Sequence, residues 1–277
     1  MLTINFDLSE FESVELIPIA DVHIGNPLAQ EHLLKETIDY VLEEPDDPKM
    51  ARICLLNGDL TESVTRTSKA GDIFEQTMTP SVQVATMINY LRPLTETSKK
   101  YPEGKILSYC AGNHDDGRYK DTGISSAESI AVSLGLEGRF SKDGCYSFIK
   151  LKQLHSYNDV VMATIYNQHM NGGGSTAGGK VNRALKMGLN GGIVADICIG
   201  SHVHQPITFK EDFIVPSNKG TLKQRTITYI VTNAFLAYGN YAQRSGMKPS
   251  TIKVPKIYIR QGREQNRDRY IYTEVLL

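Results

Sequence analysis

The 277-residue chain carries 30 Lys and Arg against 31 Asp and Glu, a formal net charge of −1, and 40% of its residues are hydrophobic. That balance excludes a global field drawing the protein to nucleic acid or membrane, and no apolar run approaches the ~20 residues that span a bilayer. The N-terminal stretch Met1-Leu2-Thr3-Ile4-Asn5-Phe6-Asp7 holds acid where a secretory leader needs base, so a cytoplasmic protein without a membrane partner is expected.

In chain order, the first half alternates strand and helix. Glu15 to Ala20 reads as a short apolar strand, followed by helical spacing through Leu33, Leu34, Ile38 and Val41 that the Pro45-Asp46-Asp47-Pro48 turn stops. Arg52 to Asn57 is the next strand, Ser81 to Leu91 a helix, Lys105 to Cys110 a strand, and Ser126 to Leu134 a helix. A helix from Lys180 to Lys186 interrupts a later run of strands. These are Tyr146–Leu151, Val160–Tyr166, Ile193–Ile199, Ile207–Phe209, Thr226–Thr232, Ile257–Arg260 and Tyr270–Val275. Alternation followed by strands predicts an α/β (α+β) fold, two packed sheets with helices outside, in a single domain over residues 1–277. Cys54, Cys110, Cys145 and Cys198 are widely spaced in sequence and read as buried hydrophobes rather than disulfides or metal thiolates.

Residues of metal-binding type recur where these strands end: Asp21-Val22-His23, Gly58-Asp59, Gly112-Asn113-His114-Asp115, His169, and His202-Val203-His204. Five of the seven histidines fall in this set. Each piece alone is a common surface turn; their joint placement after apolar strands is not. Asp21 and His23, like His202 and His204, stand two apart at a strand end, which predicts that each pair leaves one face together. Gly58 permits a tight turn that brings Asp59 to the sheet edge, where its two oxygens can serve two ions. Asn113 offers an amide oxygen, while its neighbour His114 points elsewhere as a free imidazole suited to protonating a leaving group. Asp115 or Asp116 is expected to orient His114. His155 competes with His169 but sits in a turn-like stretch, and His32 on a helix is expected to face solvent. Three carboxylate or amide donors with four imidazoles suit two ions sharing a bridge, the usual means of hydrolysing phosphate esters.

The order Asp-x-His, Gly-Asp, Gly-Asn-His-Asp, a lone His and His-x-His resembles the calcineurin-like metallophosphoesterase superfamily, with motifs spanning residues 21 to 204. The resemblance implies a β-sandwich flanked by helices. It implies one ion held by Asp21, His23, Asp59 and His204, and a second held by Asp59, Asn113, His169 and His202. A metal-bridging hydroxide would attack phosphorus while His114 acts as the acid. Mn²⁺ is the ion the resemblance most often implies, with Fe, Zn²⁺ and Mg²⁺ also compatible. One departure stands out: Ser201 separates Gly200 from His202-Val203-His204, where the family usually has Gly-His-x-His.

For substrate, Gly58-Asp59-Leu60-Thr61-Glu62-Ser63 lacks the Asp-Arg pair of the protein phosphatase branch. Gly112-Asn113-His114-Asp115 looks closer to the phosphodiesterases and repair exonucleases. Only 73 residues follow His204, most of them needed to finish the sheet, so a stand-alone phosphodiesterase acting on DNA, RNA or nucleotides is expected. A phosphomonoesterase and a non-catalytic scaffold are the alternatives. Arg118, Tyr119, Tyr241 and Arg244 are candidate substrate contacts, with Tyr238 nearby. Seven basic residues between Lys248 and Arg269 oppose two acids, which reads as a nucleic-acid grip or a solvated hairpin. Gly174-Ser175-Thr176-Ala177-Gly178-Gly179-Lys180 imitates a phosphate-binding loop but is followed by Val181 where Ser or Thr is needed, so it is set aside.

Overall fold

The computed structural model describes residues 1–68, 73–152, 160–172, 176–216, 220–239, 243, 249, 252–263 and 269–277. The first sheet is built on β2 (Ser13–Ile19), β3 (Met50–Asn57), β4 (Ile106–Cys110) and β5 (Phe140–Ser141), all parallel. The hairpin β11 (Lys256–Arg263) and β12 (Arg269–Leu276) extends it antiparallel to β2, giving the order β12-β11-β2-β3-β4-β5. The second sheet runs β1 (Leu2–Leu8), β6 (Cys145–Lys152), β7 (Val160–Gln168), β8 (Ile197–Gly200), β10 (Leu222–Val231) and β9 (Ile207–Pro216). The expected α/β class, a two-sheet sandwich flanked by helices, is what the structure shows.

The residue pattern explains the layers. Leu16, Ile53, Leu55, Leu107, Ile149, Ile165, Ile197 and Ile199 alternate along their strands and meet between the sheets. Their neighbours Ile17, Ile19, Cys54, Leu56 and Ile106 face the other way. There they pack under α1 (Glu31–Leu42), α2 (Pro80–Leu91) and α4 (Ser126–Ser133). β2, β3 and β4 are buried on both faces, which is why they read as continuous apolar runs. On the outside of the second sheet, α5 (Ala177–Met187) covers Tyr166, Cys198 and Tyr229 with Ala184 and Met187.

Several elements differ from expectation. β1 was not predicted, although its buried residues Ile4, Phe6 and Leu8 alternate with exposed ones. Asn113–Thr122 is a helix, α3, that starts at the Gly-Asn-His-Asp motif. Its polar sequence has no apolar stripe to announce it. Residues 193–196 precede β8 rather than belonging to it, and β9 and β10 run longer than predicted. All four cysteines are free and buried, yet the fold brings the Cys110 and Cys145 Sγ atoms within 3.5 Å despite their distance in sequence. Burial pushes the Cys54 thiol up to about 12, so it stays protonated. No described helix is long and apolar enough to cross a membrane.

Candidate metal centre

Five strand ends deliver the predicted residues to one edge of the sandwich. Asp21 and His23 follow β2, Asp59 follows β3, Asn113 and His114 follow β4 at the start of α3, His169 follows β7, and His202 and His204 follow β8. The pairing of β2 with β3 continues into their loops. Asp21 N donates to Gly58 O at 3.0 Å, His23 N to Asp59 O at 3.0 Å, and Ile24 bridges Thr61. The sheets are tied together here as well, since His202 N donates to Asp21 Oδ2 at 2.9 Å.

The backbone beneath these side chains is unusual. Six described non-glycine residues have positive φ, and five are Asp21, His23, Asp59, His202 and His204. Left-handed backbone costs about 1–3 kcal/mol at such residues and persists where the surroundings fix it, often at functional sites. The prediction that each pair leaves a common strand face therefore fails on its reason. Asp21 and His23 converge through turns beyond the strand. His202 and His204 diverge, His202 grouping with Asp59 and His169, and His204 with Asp21 and His23.

Two glycines are required for this approach. A Cβ on Gly112 would lie 2.0 Å from Asp59 Oδ1 and 2.3 Å from Asp59 N. Gly58 has φ +86° and a Cβ there would lie 2.5 Å from His169 Nδ1.

The donor atoms form three overlapping sets: Asp21, His23 and His204; His23, Asp59 and His114; Asp59, His169 and His202. Within each, one donor atom per residue lies within 4.8 Å of the others, so each set could hold a cation. Asp59, almost fully buried, belongs to two sets. His169 Nε2 is 3.1 Å from Asp59 Oδ2 and 3.0 Å from Asn113 Oδ1, and His204 Nε2 is 3.3 Å from Asp21 Oδ1. Asn113 and His114 do point to different sides, as expected of adjacent helical residues.

Electrostatics and unpaired atoms both fit cation binding. Burial alone would raise the Asp59 carboxyl, but His169 and His114 hold it well below the carboxylate range. Asp21 is lowered against the same burial by His204. Burial would lower His169, yet the Asp59 charge raises it to about 10, while burial and His169 push His202 down to about 4. Two carboxylates thus stay ionised in a buried site. Among the described residues His23 Nε2 is buried without a hydrogen-bond partner, a cost of about 1–3 kcal/mol that a cation would offset, and Asp21 Oδ1 is buried with only the His204 imidazole beside it at 3.3 Å.

Supporting contacts were only partly foreseen. Among the described residues Asp115 makes no hydrogen bond to His114; its Oδ2 accepts from Gly112 N at 3.0 Å, closing the first turn of α3. Burial and then Asp59 raise its carboxyl to about 7. The side chain of Asp116 lies outside the described residues. Glu62, given no role from sequence, holds His23 Nδ1 at 2.9 Å through Oε2 and His114 Nδ1 at 2.6 Å through its carbonyl. Ser201 turns out to be part of the support. It is buried, its Oγ donates to Asn57 O at 2.6 Å, and it lies 2.9 Å from His169 Nδ1.

Of the predicted substrate contacts, Arg118 donates to Ser126 Oγ at 2.7 Å and Tyr119 is half exposed with Lys142 over its ring. Neither touches the donor sets in this structure. Tyr241, Arg244 and His155 lie outside the described residues, as do Gly174 and Ser175. His32 is exposed and paired with Glu36. Arg260 of the basic strip is in register with Ser13, at the start of β2. The strand rises about 3.3 Å per residue, which sets it roughly 20 Å from the end that carries Asp21.

No family model matches this chain, and no curated protein matches it. Among solved structures, Chaetomium thermophilum Vps29 is similar over 95% of this chain and 95% of that one, at 11% identity and a TM-score of 0.33. A likeness of that size decides neither family nor function.

Proposed function

We propose that this protein is a dinuclear-metal phosphoesterase of the calcineurin-like class, and that it hydrolyses phosphodiesters. The observation that carries the reading is the convergence of Asp59 and seven other predicted residues from five strand ends: Asp59 shares one donor set with His169 and His202 and another with His23 and His114, and His23 shares a third with Asp21 and His204. One ion is assigned to Asp21, His23, Asp59 and His204, the other to Asp59, Asn113, His169 and His202, with Asp59 as bridge. Mn²⁺ is the favoured metal, and a cytoplasmic enzyme of one domain is the accompanying reading. The chemistry supplied by divalent cations bound there is activation of water and neutralisation of phosphoryl oxygens.

The chain's own part is to hold charges and one proton. Asp21 and Asp59 remain ionised for the reasons given above, so the site keeps its negative donors at neutral pH. Burial opposes protonation of His114, but Asp59 and Glu62 raise it, favouring the imidazolium that a general acid needs. Its Nδ1 is fixed on the Glu62 carbonyl, leaving the other ring nitrogen to give its proton to a leaving alkoxide. Arg118 and Tyr119 would meet substrate only if it extends along α3. Arg260 itself lies at the far end of β2 from the site. A nucleotide or the phosphodiester of a nucleic acid is the accompanying reading for the substrate.

The test is turnover of bis(p-nitrophenyl) phosphate against p-nitrophenyl phosphate with Mn²⁺, using His114→Ala as control. The reading expects the diester to be faster and the variant to lose about 10²–10⁴ in kcat. Faster monoester turnover would make the enzyme a phosphomonoesterase, and turnover of neither with Mn²⁺, Fe²⁺ or Zn²⁺ would leave a non-catalytic scaffold.

A further inference from the structure

Glu62 meets two imidazoles with two different atoms. Its carboxylate Oε2 lies 2.9 Å from His23 Nδ1, and its backbone carbonyl lies 2.6 Å from His114 Nδ1. An ionised carboxylate and a carbonyl can only accept, so each ring must carry its proton on Nδ1. That leaves Nε2 of each ring as the nitrogen free for other work. For His23 the consequence is visible, since Nε2 is buried, has no hydrogen bond among the described residues and stands 4.0 Å from Asp59 Oδ2. The two rings pack edge to face with centroids 4.6 Å apart, so a turn of one would disturb the other.

Glu62 is itself held firmly. Its N–H donates to Ile24 O at 3.0 Å, and the next residue, Ser63, has φ +47° and donates its N–H to Gln83 Oε1 at 2.8 Å. Gln83 is fully buried on α2 and its Nε2 donates to Met78 O at 2.9 Å. Ser63 Oγ also bonds Thr61 and Ser126, each at 2.7 Å. A residue fixed on three sides can impose an orientation on what it touches.

We infer that Glu62 is a positioning residue that sets the Nδ1–H tautomer of both His23 and His114, through its side chain for the first and its carbonyl for the second. The functional consequence rests on the phosphoesterase reading, in which His23 ligates a metal and His114 delivers the proton. The division between side chain and backbone gives the inference its signature. Substitution of Glu62 frees His23 and leaves His114 anchored, so the damage falls on metal affinity rather than on proton delivery.

The experiment combines long-range ¹⁵N–¹H NMR of the histidine rings in metal-free protein, in alkaline buffer, with Mn²⁺ titration by calorimetry. Wild type should show Nδ1–H on both rings. Glu62→Ala should lose that signature at His23, keep it at His114, and bind Mn²⁺ about 10–100-fold more weakly. Its kcat should recover towards wild type at saturating Mn²⁺, which a general loss of structure would not allow. Glu62→Gln, whose amide oxygen can still accept, should keep the His23 tautomer and bind Mn²⁺ with intermediate affinity. An Nε2–H tautomer at His23 in wild type overturns the inference, as does wild-type Mn²⁺ affinity in folded Glu62→Ala or Glu62→Gln. Should Glu62→Ala fail to fold, the wild-type spectrum and Glu62→Gln decide. Should wild type bind no Mn²⁺, the phosphoesterase reading falls while the tautomers still judge the role of Glu62.

Discussion

At the scale of single residues, the site depends on side chains that must be absent as much as on those present. Gly112 lies against Asp59 so closely that a methyl group would displace the shared carboxylate. Gly112→Ala is therefore expected to cost about 1–3 kcal/mol by overpacking and to abolish binding of at least one ion. Urea unfolding and Mn²⁺ calorimetry check the two halves separately. The metal-type residues were legible in sequence because Asp, Asn and His at strand ends announce their chemistry. Glu62, Ser201 and Asn57 were not, because their roles come from burial and from bonds spanning 39 and 144 positions. No local pattern reports such contacts. Asp115 stands where the motif places it, but its hydrogen bond goes to the Gly112 backbone, a contact the motif did not announce.

At the scale of elements, the strand ends meet because a polar network links the sheets just beneath the site. Asn57 of β3 donates to Gln168 O and to Ser201 Oγ, each at 3.1 Å, and accepts from Asn167 Nδ2 at 3.1 Å. Ser108 of β4 donates to Asn167 Oδ1 at 2.9 Å. β3, β4, β7 and the turn after β8 are thus joined in a low-dielectric interior where an unpaired amide is costly. Asn57→Ala should destabilise the protein by about 1–3 kcal/mol and weaken Mn²⁺ binding, as His169 and His202 lose their fixed spacing. Equilibrium unfolding with and without Mn²⁺ would show it; a variant with unaltered stability would mean that the network merely fills space. The strands that build this edge were readable as apolar runs, whereas α3 was not, since its first residues are chosen for the site rather than for an apolar face.

At the scale of the whole molecule, a second buried network holds the outer layer. Glu15, fully buried, accepts from Arg52 Nε at 2.6 Å, Tyr40 OH at 2.7 Å and Tyr258 OH at 2.9 Å, joining β2, β3, α1 and β11. Arg52 also donates to Tyr40 O and Glu43 O at the end of α1. Burial alone would raise the Glu15 carboxyl, but these three donors hold it below its ordinary value of 4.5. The unfolded chain then binds the proton more readily than the folded one. The resulting stabilisation is fully present above pH 4.5 and is lost as pH falls through the depressed folded value. Urea unfolding across that acid range should show a slope that Glu15→Gln reduces; equal slopes would mean that Glu15 titrates alike in both states. The layered class of the fold followed from strand–helix alternation, but the order of strands and the two polar networks depended on pairings that no single segment encodes.

In the proposed enzyme one buried carboxylate, Asp59, joins two metal sites. The most direct measurement of this is the metal content of purified protein after Mn²⁺ loading and desalting, for wild type and for Asp59→Asn. Two ions per chain in wild type, falling to fewer than one in the variant, is the predicted result. No retained metal in wild type, or two ions retained without the Asp59 carboxylate, would contradict it.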